Sequence, residues 1–236
     1  MNYKKKFNYN LIPSGYYDYI YHKKSGLQST WHNLKFLFVK KLISKKGRHL
    51  DVGCGPGTFV SILNKRSTGI DISKKQISYA KNMYKKKNLR FVFFKKKFPF
   101  KKNYFSTISI IEVIEHLNNN QIQTLIKESF RVLKKNGQIV LTTPNYNSFW
   151  PIIEYLINFL LKINYKEQHI NKFNINKFLK ILPKNKFKII DKGNFMSFAP
   201  FFGILSFKLA KFFFRFDNHL KFIIPGNLLY VKAVAI

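Results

Sequence analysis

The stretch from residue 48 to residue 71 constrains the fold more than any other part of the chain. Residues 48–52 read as a short strand, Gly53-Cys54-Gly55-Pro56-Gly57 as a turn, 58–64 as the start of a helix and 68–72 as a second strand that carries Asp71. Glycines between a strand and a helix let the backbone come close to a ligand where a Cβ would intrude. In a doubly wound sheet this first turn is where a ligand sits, and a carboxylate at the end of the second strand can accept hydrogen bonds from both hydroxyls of a ribose. The dinucleotide fingerprint G-x-G-x-x-G fits poorly, because it needs glycine where Thr58 stands and the third glycine falls one position early, at Gly57.

Strand and helix patterns alternate from residue 48 to residue 143. Ser73 can cap a helix running to about residue 86, and 89–93 is a third strand. The apolar run 105–111 suits a strand covered on both faces. A helix over 121–133 is expected to close at Asn136-Gly137 before a strand over 138–143 that Pro144 stops. Such alternation predicts an α/β fold with a doubly wound, mostly parallel sheet. Upstream, 28–43 places Trp31, Leu34, Leu37, Phe38 and Leu42 at helical spacing, with Lys35, Lys40 and Lys41 elsewhere around the wheel. Downstream come an apolar helix over 149–163, a short helix near 174–182, a strand over 187–191, an aromatic amphipathic segment over 198–216 and a last strand over 228–235.

The formal net charge is +33, from 43 Lys and Arg against ten Asp and Glu. Abundant Lys, Phe, Ile and Asn with scarce Ala and Arg is the usage of an AT-rich genome. That bias explains many lysines but not the shortage of acids, so an anionic partner stays in play, with membrane lipid ahead of nucleic acid. Cys54 is the single cysteine, and residues 1–10 carry charge with no apolar run behind them, which fits a cytoplasmic protein. The longest apolar stretches, interrupted by Glu154, Lys162 and Lys208, fall short of a membrane span.

The text His49-Leu50-Asp51-Val52-Gly53-Cys54-Gly55-Pro56-Gly57-Thr58-Phe59 closely resembles motif I of class I S-adenosylmethionine (SAM) dependent methyltransferases. Further matches follow at the family's spacing. Gly69-Ile70-Asp71-Ile72-Ser73 resembles the ribose-binding strand end, and Glu112-Val113-Ile114-Glu115-His116-Leu117 the segment after strand four of the ubiquinone-pathway O-methyltransferase group. Leu133 through Gly137 and Thr142-Thr143-Pro144-Asn145 are similar to that group too, as are Gly15-Tyr16-Tyr17-Asp18, Gln28 and Trp31-His32 to the N-terminal cap of its relatives. The resemblance spans roughly residues 14–192. It implies a Rossmann-like seven-stranded sheet, with a helical cap over 1–46 and the methyltransferase domain over 47–236. It also implies SAM as cofactor: the turn of Gly53, Cys54, Gly55 and Gly57 on the methionine portion with Asp51 beneath, Asp71 on the ribose, Ile72 on adenine, and Glu112 lining the pocket. Phe94 and Lys95–Lys97 stand where the family usually carries an acidic contact to the adenine amino group, and Ser106 replaces a common Asp.

Glu112, His116 and His169 are the candidate catalytic residues. Methyl transfer to oxygen is an in-line displacement in which the protein aligns the acceptor and removes its proton, and an imidazole titrating near neutrality suits that task. Glu112, Glu115, His116 and His169 form an alternative divalent-metal set, of a kind some relatives use. The base reading is preferred to the metal. The helix over 149–163 and the segment 201–216, where Lys208, Lys211 and Arg215 recur among phenylalanines, suggest contact with an anionic membrane, with Phe202, Leu205, Leu209 and Phe213 as the apolar face; a core or dimer-contact helix reads equally well. The expected function is SAM-dependent methylation of a small or lipid-linked acceptor, at oxygen, on a quinone precursor or a glycan intermediate. The rivals are an RNA 2′-O-methyltransferase and a non-catalytic SAM-fold partner subunit; spread lysines oppose the first and an intact glycine turn with Asp71 the second.

Overall fold

A computed structural model describes residues 12–161, 169–217 and 224–236. Glu167, Gln168 and His219 lie outside the described residues, as do the side chains of Leu156, Ile157, Leu160 and Leu161. The elements are α1 (Tyr16–Lys23), α2 (Leu27–Leu42), β1 (His49–Val52), α3 (Thr58–Ser61), β2 (Ser67–Asp71), α4 (Lys74–Met83), β3 (Leu89–Phe93), β4 (Phe105–Ile111), a 3-10 turn (Ile114–His116), α5 (Asn119–Val132), β5 (Leu133–Pro144), α6 (Trp150–Leu161), α7 (Ile175–Leu179), β6 (Phe187–Phe195), a 3-10 helix (Ala199–Ile204), α8 (Phe207–Phe214) and β7 (Leu228–Ala235).

The sheet has seven strands in the order β3-β2-β1-β4-β5-β7-β6. The first five are parallel, and β7 runs antiparallel between β5 and β6. Strand order reverses between β1 and β4, so a crevice opens at their carboxyl ends. The faces follow the two-residue period of a strand: Ile139 and Leu141 pack with Ile122, Leu125 and Ile126 of α5, while Val140 between them packs with Val39 of α2 and Phe59 of α3. Ser73 caps α4 by accepting from the Gln76 N–H, and Asn118 and Gln121 form a reciprocal capping box that fixes where α5 begins, just beyond the site.

Two local readings are corrected. Asn136-Gly137 does not cap α5; β5 starts directly at Leu133, and Asn136 takes a left-handed φ of 58° inside an irregularity that shifts the register between Phe105↔Leu133 and Thr107↔Gln138. A side chain that tolerates positive φ marks a bulge as readily as a helix end. Lys35 does not lie on the solvent side of α2; it is buried, because α2 packs between the sheet face and the 3-10 helix Ala199–Ile204, with α1 alongside.

Candidate active site

The carboxyl ends of β1, β2, β4 and β5 deliver the glycine turn, Asp71, Glu112 and Tyr146 to one edge of the sheet. Gly53, Gly55 and Gly57 all have left-handed φ values of 75°, 52° and 84°, which is why residues with a Cβ are unfavourable there. The turn spends its N–H groups internally: Gly53 and Cys54 donate to the Ile70 carbonyl, Gly57 to the Cys54 carbonyl and Gly55 to Asp71 Oδ2 at 2.8 Å. A phosphate cradle needs those N–H groups free to face the anion. Gly57 has a second reason to be glycine, since a Cβ there would stand 2.6 Å from the Phe91 ring and 3.0 Å from Ala80. Cys54 turns its thiol into the core with Val60, Ile77 and Phe91, and burial raises its pKa well above the usual value.

Asp71 accepts from the Ser73 N–H through Oδ1 and from Gly55 through Oδ2, both at 2.8 Å. It is only 2% exposed, while Ile72 beside it is 58% exposed. Burial raises its pKa, and the backbone N–H groups of Ser73, Gly55 and Ile72 that bond the carboxylate oppose that rise. Asp51 is buried beneath the turn and accepts from the Ser109 hydroxyl, which also contacts His49 Nε2 at 3.0 Å. Burial raises Asp51 to about 7 despite the Ser109 bond, and burial lowers His49 to about 3.

The N-terminal helices close over this edge. Buried Asp18 of α1 accepts from Thr58 Oγ1 at 2.7 Å, from the Tyr79 hydroxyl at 2.9 Å and from the Tyr84 hydroxyl, which ties the cap to α3 and α4. From α2, Lys35 forms an ion pair with Glu112 Oε2 and Trp31 Nε1 donates to Glu112 Oε1 at 3.5 Å. Glu112 adopts a left-handed φ of 51°, which for a non-glycine residue is held only by such surroundings. Lys35 was missed from sequence because a lysine among lysines carries no signal; its place four residues after Trp31, on the apolar side of the helix, is the clue that was available.

Around the start of α6 a second cluster forms. The ligand atoms offered by Glu115, His116 and His169 lie within 4.8 Å of one another. Glu112 is not in this group, its carboxylate being taken by Lys35 and Trp31, so the four-residue metal set becomes three. Burial raises Glu115 to about 7, with the Thr143 hydroxyl donating to it at 3.2 Å. His169 Nδ1 lies 2.6 Å from Glu154 Oε1 and 2.9 Å from the Tyr146 hydroxyl. Burial pushes the Glu154 carboxyl up, but the hydrogen bond and charge of His169 and the Tyr146 hydroxyl outweigh it, leaving its pKa below the usual carboxylate value. Neither Glu154 nor Tyr146 is singled out by the sequence, since the patterns that reveal a helix face say nothing of a contact to a residue beyond the helix.

Acids are placed unlike bases in this protein. Of its ten acidic residues, Asp18, Asp51, Asp71, Glu112, Glu115 and Glu154 surround this one edge, and all but Glu112 are buried. The outcome is an electronegative interior under a basic exterior, suited to a ligand that carries positive charge.

Comparison with known proteins agrees with this geometry. Residues 24–192 match the family model described as a methyltransferase domain. A ubiquinone biosynthesis O-methyltransferase of Pelagibacter ubique is 39% identical over 102 residues, and the chain spans about two-fifths of that relative's length, 41% of each sequence being aligned. A SAM-dependent methyltransferase of Thermotoga maritima, named as a possible histamine N-methyltransferase, shares the fold with a TM-score of 0.66 at 17% identity, over 92% of this chain and 93% of that one. The geranyl diphosphate C-methyltransferase of Streptomyces coelicolor, solved with Mg2+, geranyl diphosphate and S-adenosyl-L-homocysteine, does so with a TM-score of 0.59 at 16% identity, over 95% and 86%. Since the family match covers most of the chain, and the sheet order and the glycine turn agree with it, the chain belongs to the methyltransferase-domain family.

Proposed function

We propose that the enzyme methylates a hydroxyl oxygen of a small or lipid-linked acceptor, an aromatic quinone precursor being the preferred class. The observation that carries this reading is the Glu154–His169 hydrogen bond set beside His116 and Glu115. A carboxylate on Nδ1 fixes the imidazole's orientation and tautomer, which makes Nε2 the nitrogen that would take a proton from an acceptor hydroxyl. The partial identity to a ubiquinone biosynthesis O-methyltransferase supports the acceptor class.

When bound, SAM supplies a sulfonium methyl group already activated for transfer. The chain's part is to bind, align and deprotonate. Asp71 would hold the ribose hydroxyls, exposed Ile72 would pack on adenine, and the glycine turn of Gly53, Cys54, Gly55 and Gly57 over Asp51 would hold the methionine portion. Lys35, buried and paired with Glu112, would be the cation for the methionine carboxylate. His116 and His169 hold the acceptor proton, with Glu154 stabilising the imidazolium that forms. With the acceptor in line, most of the acceleration comes from positioning.

A second reading is favoured by the convergence of Glu115, His116 and His169. These three would hold a divalent ion, with Glu154 orienting His169 as a partner behind a metal ligand; the ion would supply polarisation of the acceptor oxygen. The deciding experiment is methyl transfer to phenolic acceptors, with and without an apolar tail, before and after chelation. Chelator-insensitive transfer lost in His116→Ala and His169→Ala supports the base; transfer abolished by chelator and restored by Mg2+ replaces it with the metal.

A further inference from the structure

Leu228 at the start of β7 pairs with Pro144, at the carboxyl end of β5, and with Phe195, the last residue of β6. The connection between β6 and β7 therefore leaves and returns at the edge that carries the active site. It holds the 3-10 helix Ala199–Ile204 and α8, and both pack against α2. Ala210 and Phe214 face inward, and Phe202 stacks on Phe213 at 4.0 Å, so two of the residues expected to form an outer apolar face are engaged within the protein. The outward face keeps Leu205 and adds residues not expected there. Leu205 is 77% exposed, Ile204 67%, Phe212 52% and Phe216 46%. Lys208, Lys211 and Arg215 are exposed on the same side of α8, interleaved with Phe212 and Phe216 at three- and four-residue spacing. Phe198 touches Phe149, which extends the apolar surface to exposed Ile152 and Tyr155 at the start of α6, beside Trp150, whose ring lies 6.0 Å from that of His169.

We propose that this face, centred on Leu205, Phe212 and Phe216 with Lys208, Lys211 and Arg215, docks on an anionic phospholipid bilayer, so that the acceptor reaches the His116/His169 pocket from the membrane. Aromatic rings sit at headgroup level, and cations between them meet lipid phosphate. The charge complementarity is local: the exposed side of α8 carries three cations and no acid, Asp217 beyond it being buried, where it accepts from the Ser197 N–H. No described helix is long and apolar enough to cross a membrane. Docking itself does not depend on the acceptor being a quinone precursor; delivery from the membrane rests on that reading.

The test is co-sedimentation of the full chain with vesicles of phosphatidylcholine alone or mixed with phosphatidylglycerol, across a salt series. The wild type should pellet with the anionic vesicles at low salt and release as salt rises. Lys208→Glu/Lys211→Glu/Arg215→Glu should weaken partitioning by roughly 100-fold or more, and Phe212→Ser/Phe216→Ser should weaken it while keeping its salt dependence. Lys85→Glu/Lys86→Glu/Lys87→Glu changes the same charge on exposed residues beside β3, at the opposite edge of the sheet, and should still pellet. Circular dichroism and SAM binding, read on every variant, separate loss of docking from loss of the enzyme's fold or cofactor site. Equal loss in the two charge-reversed proteins would assign binding to diffuse charge and overturn the proposal. So would an absence of pelleting at low salt, or a dimer in sedimentation velocity that the Phe212→Ser/Phe216→Ser protein loses, which would give the face to a second copy.

Discussion

Replacing Lys35 with methionine removes the cation from a buried pair and keeps most of the side chain's volume. The Lys35 side chain is 4% exposed and that of Glu112 18%, so neither charge is solvated in the folded state. Breaking such a pair by removing one partner costs about 3–5 kcal/mol. Glu112 keeps the Trp31 N–H, which places the expected loss at about 3 kcal/mol, the lower end of that range. For a chain of this size the melting temperature should fall by about 5–10 °C. Lys35→Met/Glu112→Gln should recover much of the loss, because the stranded charge is gone, and a double-mutant cycle by thermal melting reads the coupling directly. Lys35→Met should also weaken SAM binding if the lysine meets the methionine carboxylate. Additive single-variant effects, or a melting temperature unchanged within about 1 °C, would refute the buried pair.

Gly57→Ala should destabilise the apo protein by about 2 kcal/mol or more, measured by urea unfolding, because its Cβ meets Phe91 and Ala80 at a left-handed φ. Asp51 and Glu115 have folded pKa values near 7, above the unfolded carboxylate range, so between about pH 4 and 7 the folded state binds more protons than the unfolded one. Their contribution to stability is present below that window and is lost as pH rises through it; Asp51→Asn and Glu115→Gln should each flatten the fall in melting temperature over that range. A cationic ligand beside Asp51 favours its ionised form, so SAM should bind more tightly as pH rises toward 7 and release a proton, seen as a buffer-dependent heat in calorimetry. His169→Ala and Glu154→Gln should both lower methyl transfer with little change in SAM affinity, and the Glu154→Gln loss should shift with pH.

The cofactor half of the site was legible because it is written in contiguous text: a strand, three glycines and an acid at the next strand end require neighbours in sequence to be neighbours in space. Strands 89–93, 105–111 and 228–235 were read to the residue for a related reason, being short apolar runs between clear breakers. Asn136-Gly137 misled because positive φ serves a bulge and a helix end alike. The catalytic half depends on long-range packing. Lys35 meets Glu112 across 77 positions, and Glu154 meets His169 across 15; neither pairing leaves a periodic trace. Around α8 the cationic stripe of Lys208, Lys211 and Arg215 was legible and is exposed, whereas Phe202 and Phe213 pack inward, since apolar character alone does not show which of many rings the core takes.

Titration of the purified protein with SAM by calorimetry tests the central claim most directly. Binding in the micromolar range, shared by S-adenosylhomocysteine and weakened at least about tenfold by Asp71→Ala, is the expected result. Preferential binding of NAD with no response to SAM, or undiminished SAM binding by Asp71→Ala, would contradict it.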